Sequence, residues 1–180
     1  MTLLLESDPA VPIGLLGGDP VLPKGLGWPT CVSCDGAMAH IGQFGVDEKL
    51  LTLFQCNNDP GMCADWEPFG GGNAAVLVSG PTARTAGPPG PVSFPALPVG
   101  VREVPQAYED IRDEVIGQFG GEPSWIQGPE VPMCPNCPAG PMRFVVQLEP
   151  GPLHFLFGDY GSAYAFDCPS CQNAAWLWQS

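Results

Sequence analysis

The stretch Gly120–Cys137, GGEPSWIQGPEVPMCPNC, repeats Gly17–Cys34, GGDPVLPKGLGWPTCVSC, and nothing else in the chain restricts its fold as much. Both copies open with Gly-Gly, an acidic residue and Pro, and both close with Pro-x-Cys-x-x-Cys, 103 residues apart with no gap. One inserted residue later, Met38 matches Met142 and Gln43 matches Gln147, each 104 apart. Each copy then reaches Phe-x-Cys, at Phe54–Cys56 and Phe166–Cys168. A chain of this kind is an internal duplication and is read in halves.

All eight cysteines fall within that duplication, in two sets of four: Cys31, Cys34, Cys56, Cys63, and Cys134, Cys137, Cys168, Cys171. The spacings are C-x2-C-x21-C-x6-C and C-x2-C-x30-C-x2-C. Cysteine pairs on turns that start or end strands are the layout of structural zinc sites. A redox Cys-x-x-Cys would be expected once, at a helix start. Disulfide frameworks are the rival reading, but the N-terminus carries Glu6 and Asp8 and no basic flank, so it reads poorly as a signal peptide. A cytoplasmic protein with two structural zinc ions and reduced thiols is therefore expected.

The 24 Gly and 23 Pro favour short strands and turns over long helices. Strands are expected at Ala37–Phe44, Leu50–Phe54, Asn73–Ser79, Met142–Leu148, Leu153–Phe157, Ser162–Phe166 and Ala174–Gln179, with residues 1–16 an edge strand or an arm. One main helix is expected at Pro105–Phe119, just before the second copy. Pro105 suits its first position, and Tyr108, Ile111, Val115 and Phe119 share one face. The fold class is thus a β-rich α+β protein of two zinc-ribbon-like halves packed together. The first repeat spans 1–79, a Pro/Gly-rich connection lying against the surface spans 80–104, and the helix with the second repeat spans 105–180.

Gly-Gly-x-Pro, Trp28-Pro-x-Cys-x-x-Cys, the following Met38 and Gln43, and the late Gly158-Asp159-Tyr160-Gly161 with its Cys-x-x-Cys resemble the bacterial YwqG-like family of unknown function. The same motif order resembles, more distantly, programmed cell death protein 2. The likeness covers about residues 17–66 and 120–179. It implies a β-rich duplicated fold and, for the eukaryotic branch, a chaperone-like role with a basic ribosomal protein.

Net charge is −13 because the chain has only six basic residues. Such a surface lacks the cations that bind phosphate backbones, so neither nucleic acid nor an anionic membrane is an expected partner, and a basic protein is. Closed four-thiolate sites leave no open position for catalysis. The expected function is therefore a zinc-stabilised protein-binding module, a chaperone-like or neutralising partner of a basic protein. Trp28, Trp125, Gln43 and Gln147 are the candidate contacts. Trp28 and Trp125 lie in Pro/Gly loops, and the two glutamines are polar residues within apolar strands. The alternative is an enzyme working in the cleft between repeats, with Asp19, Glu122, His40 and His154 as candidates.

Overall fold

In the computed structural model of the chain, the described residues are 2–6, 13–80, 82–88, 93–103, 115–138, 140–150 and 157–180. They form twelve strands. The first six are β1 (Thr2–Glu6), β2 (Gly14–Leu16), β3 (Val21–Pro23), β4 (Ala39–Val46), β5 (Lys49–Gln55) and β6 (Asn73–Val78). The rest are β7 (Thr82–Arg84), β8 (Leu97–Glu103), β9 (Val115–Phe119), β10 (Arg143–Leu148), β11 (Ser162–Asp167) and β12 (Ala174–Gln179). Strands β3 and β7 pair by themselves, and the other ten form one antiparallel sheet in the order β12-β11-β10-β9-β1-β8-β2-β4-β5-β6.

The order is a palindrome about the β1–β8 pair. Strands β2-β4-β5-β6 on one side match β9-β10-β11-β12 on the other. The matching extends to individual hydrogen bonds. Gly17 N–H donates to the Ile41 carbonyl at 2.9 Å, and Gly120 N–H, 103 positions on, to that of Val145 at 2.7 Å. Met38 N–H bonds the Pro29 carbonyl and Met142 N–H that of Pro132. Ile41 and Val145 also occupy matching β-bulges, at the register shifts in the β4–β5 and β10–β11 ladders. A bulge frees one carbonyl from its ladder, and in both copies that carbonyl anchors the Gly-Gly turn.

The two copies also trade their leading strands. β1, which precedes the first copy, pairs with β9 of the second, while β8, which precedes the second, pairs with β2 of the first. Both lie inside the sheet, so residues 2–6 and 14–16 are neither an edge strand nor an arm. Leu97–Glu103 likewise runs within the sheet rather than over its surface.

The α+β expectation is corrected: among the described residues there is no helix, and the fold is all-β. Residues 105–114 lie outside the described residues, but Val115–Phe119, the predicted last turns of the helix, form β9. Val115 and Phe119 satisfy a period of 2 as well as one of 3.6, and β-branched Val115 and Ile116 favour the strand. Gly117 settles it locally. A Cβ there would stand 1.9 Å from the Gln147 carbonyl oxygen, so β10 approaches too closely for any side chain. The other expected strands agree with the observed ones to within two residues, except Leu153–Phe157. Residues 153–156 of that strand lie outside the described set, and Phe157 begins a turn.

One core serves both copies: Ile41, Phe44, Leu51 and Leu53 from the first pack with Val145, Val146, Leu148 and Trp176 from the second. The two edge strands β6 and β12 lie against each other. Trp176 Nε1–H donates to the Phe54 carbonyl at 3.1 Å, and Trp178 N–H to that of Trp66 at 3.3 Å. Two smaller clusters flank this core; one contains Cys31, Cys56 and Cys63, and the other Cys134 and Cys168 with Cys137 and Cys171 packed against them.

Candidate metal centres

The first centre is assembled from a hairpin knuckle and a loop. Thr30 and Ala37 form an isolated bridge, and inside it Cys31 N–H bonds the Gly36 carbonyl while Asp35 N–H bonds that of Cys31. This places Cys31 and Cys34 on one side of a tight turn. The closing pair comes from the end of β5, where Cys56 N–H bonds the Gly72 carbonyl at 2.8 Å, and from the loop at Cys63. Gly72 is required here, since a Cβ would sit 1.9 Å from the Cys63 carbonyl oxygen.

The second centre repeats the plan more compactly. Met133 and Pro141 bridge as Thr30 and Ala37 do, and Cys134 N–H bonds the Gly140 carbonyl at 3.3 Å. Cys168 follows β11 directly, its N–H on the Asn173 carbonyl at 2.9 Å, and Cys171 lies in the turn before β12.

Within each set the four Sγ atoms lie within 4.8 Å of one another. In the second, Cys134–Cys137, Cys134–Cys171 and Cys137–Cys168 stand 3.5 Å apart and Cys137–Cys171 3.7 Å. In the first, Cys34 and Cys56 stand 3.7 Å apart. Disulfide sulfurs would be about 2.05 Å apart, and none of the eight cysteines is in a disulfide. Four sulfurs bound tetrahedrally at about 2.3 Å have edges of about 3.8 Å. The donor sets fit one metal ion each.

The thiols show why a cation belongs there. Burial pushes the Cys56 thiol up, and burial with three neighbouring sulfurs raises that of Cys63. The same causes push Cys171 up to about 12. Burial also opposes ionisation of Cys134, yet the Asn136 N–H, the Asn173 amide and the adjacent thiols bring it down to about 6. At Cys31 burial is likewise overcome by the N–H groups of Cys34 and Ser33. Cys31 and Cys134 thus ionise readily while Cys56, Cys63 and Cys171 resist, as expected where negative charges crowd without a counter-ion.

Two residues outside the predicted sites support these sulfurs. Asn58 Nδ2–H donates to Cys56 Sγ at 3.4 Å and to Cys34 Sγ at 3.7 Å, and Asn173 Nδ2–H to Cys134 Sγ at 3.7 Å. Both follow a cysteine by two positions, in Cys56-Asn-Asn58 and Cys171-Gln-Asn173. That shared Cys-x-Asn spacing is the signal that finds them.

Gln43 and Gln147 turn inward, 6% and 3% exposed. Gln43 Oε1 accepts from Val21 N–H, while its Nε2 donates to the Val21 carbonyl at 2.7 Å and to Thr52 Oγ1. Gln147 Oε1 accepts from Ser124 N–H, at the position matching Val21. The Ser124 carbonyl instead accepts from Tyr164 OH at 2.9 Å. Both amides thus hold the loop that follows Gly-Gly-[Asp/Glu]-Pro. Trp28 and Trp125 are half-buried. The Trp28 indole meets Phe54 edge-on and donates to the Met38 carbonyl at 2.8 Å, and Trp125 stacks on Tyr164 with centroids 4.5 Å apart.

Of the acid/base candidates, Asp19 and His40 line one cavity beside the first centre. Glu122 is exposed in the other copy, where its carbonyl accepts from Gln118, and His154 lies outside the described residues.

Over 73 residues the chain is 40% identical to the uncharacterized protein YpfL of Salmonella typhimurium strain LT2, a match covering 41% of this chain and 17% of that protein. The chain therefore spans well under a quarter of the length of the curated relative it matches. No family model matches the chain.

Proposed function

We propose that this chain is a zinc-stabilised protein-binding module, cytoplasmic, that acts as a chaperone-like or neutralising partner of a basic protein. The observation that carries the reading is the pair of four-sulfur sets, each with donors for a closed tetrahedral ion and each built into a hydrophobic cluster. Such sites stabilise a fold and leave the surface to do the work. Four thiolates suit a soft divalent ion, of which zinc is the ordinary structural choice. The net charge of −13 favours a basic partner, and association steered by charge weakens as salt screens it. The half-buried indoles of Trp28 and Trp125 offer aromatic edges for the short-range contacts. The chaperone-like part of the proposal rests on the resemblance of the motif order to the YwqG-like family and programmed cell death protein 2.

Two measurements test it. Elemental analysis with thiol counting on the purified protein should give two zinc ions and eight reduced cysteines per chain; disulfides without metal would refute the zinc assignment. Affinity capture at low and high salt, followed by mass spectrometry, should enrich basic proteins that high salt releases. Enrichment indifferent to salt or to partner charge would refute the basic-partner assignment.

A further inference from the structure

We propose that the cavity beside the first four-cysteine centre is a binding site for one protonated amine or guanidinium group, presented as a lysine or arginine side chain. This deepens the reading of a basic protein partner, on which it rests, by saying where one of that partner's cations goes. The cavity encloses roughly 290 Å³. That is the low end of the range for ligand pockets, and it suits one long side chain better than a larger metabolite.

Its walls come from the Gly-Gly-Asp-Pro turn at Gly18 and Asp19, Trp28, His40 at the start of β4, Asn58, and Phe94 from the connecting stretch. His40 is 5% exposed and its Nδ1 lies 3.0 Å from the Gly18 carbonyl. A carbonyl only accepts, so Nδ1 carries the proton and Nε2 presents a lone pair. Among the described residues that buried Nε2 has no hydrogen-bond partner. Burial holds the imidazole below its ordinary pKa, which keeps it a neutral acceptor.

Asp19 supplies the charge. Among the described residues its carboxylate has no ion-pair partner, because Arg84 donates to its backbone carbonyl instead, at 3.0 Å. Among the described residues that form the walls there is no lysine or arginine. Asn58 reaches from the wall to the sulfurs of Cys34 and Cys56. Once a divalent ion fills that set, four thiolates leave about −2 nearby. An anion is repelled by all of this, and a neutral donor gains nothing from the charge of Asp19, which is exposed and otherwise solvated. A cation bearing only N–H donors pairs with Asp19, and the neighbouring imidazole, neutral and with its Nε2 lone pair unspent, does not oppose it. It also lies by the Trp28 indole, which the Met38 carbonyl fixes in place and which favours a cation against its ring.

The test uses the zinc-loaded full chain with Nα-acetyl-arginine amide, Nα-acetyl-lysine amide, the neutral Nα-acetyl-norleucine amide, and agmatine. Binding is read from the ring nitrogen resonances of His40, one of only two histidines. The cationic amides should saturate and shift His40 Nε2, and the norleucine amide should not. Asp19→Asn removes a carboxylate with no described ion-pair partner, so the fold should persist and affinity should fall about fivefold. Equal binding of the norleucine amide, or unchanged affinity in Asp19→Asn, overturns the proposal. Markedly tighter binding of agmatine overturns the assignment to a partner's side chain. If no cationic amide binds while salt-sensitive association with basic proteins persists, the cavity assignment falls and the partner reading stands. Amide binding without any basic protein partner supports the site and refutes the partner.

Discussion

Stripping metal from the chain with a strong chelator should unfold it, and the clusters around the cysteines set the scale. Cys31, Cys56 and Cys63 are buried among Leu22, Met38 and Phe54, and Cys134 and Cys168 among Met142, Tyr164, Phe166 and Leu177. Structural zinc contributes on the order of 10–16 kcal/mol of apparent binding per site, against about 5–15 kcal/mol for the whole stability of a typical domain. Losing both ions therefore exceeds what the central core can offset. Trp176 reports the result, being fully buried in that core and bonded to the Phe54 carbonyl beside the first cluster. Its near-UV circular dichroism should vanish with the metal. The order of loss is decided by exposure. Closing the first set over six residues instead of two costs about 1.0 kcal/mol, and the longer span inside the second set returns about 0.3. The balance is only about threefold in affinity. Cys34, however, is exposed, whereas no sulfur-bearing residue of the second set is. The first ion should leave first, and Cys168→Ser should unfold more of the chain than Cys63→Ser. Intact near-UV dichroism in the metal-free protein, or release of the second ion first, would refute the reasoning.

Gln43→Leu should lower stability by about 2–4 kcal/mol in urea unfolding, because it strands both backbone groups of Val21 and the buried Thr52 hydroxyl. Arg143→Met should cost about 3 kcal/mol in the same assay. It removes both bonds to Asp167, whose side chain is 5% exposed. Asp47→Ala breaks the other bond of that arginine at a 71% exposed carboxylate, and thermal melts should show less than about 1 kcal/mol of loss. Trp125→Ala should cost about 2 kcal/mol of stability through its stacking on Tyr164, with zinc content unchanged by elemental analysis. If Trp125 also anchors the partner, affinity per folded molecule falls as well, by titration calorimetry.

The duplication and both cysteine sets were legible because spacing survives in sequence whatever the intervening loops do. Strands β10, β11 and β12 of the second copy were legible in its runs of apolar and β-forming residues, as at Ala174–Gln179. β9 was not, since Tyr108, Ile111, Val115 and Phe119 satisfy a helical period that only neighbouring strands can overrule. Reading the repeat back four more positions finds Ile13-Gly14 against Ile116-Gly117, and so puts β9 opposite β2. The bulges at Ile41 and Val145 were invisible because a bulge is a property of two strands. The Phe144, Val146, Leu148 alternation hid that Val145 and Val146 are both buried. The cavity drew on Trp28, Asn58 and Phe94, which are separated in sequence and meet through tertiary contacts, Phe94 being held by the Gly18 N–H on its carbonyl.

The strand order explains where the metal centres must lie. In a sheet that begins at β12 and ends at β6, those two strands are the outermost, and they lie against each other without a backbone ladder between them. Each is preceded by the last cysteine of a set, Cys63 before β6 and Cys171 before β12. The other end of each set is a knuckle just ahead of β4 or β10, two strands further in. A bound ion thus ties an edge strand to an inner one across the top of the intervening hairpin. At the middle of the sheet no ion is needed, because β1 and β8 lie between the copies and hold each to the other's first strand. Ions bound at the two cysteine sets would secure the ends, as the exchanged strands secure the centre.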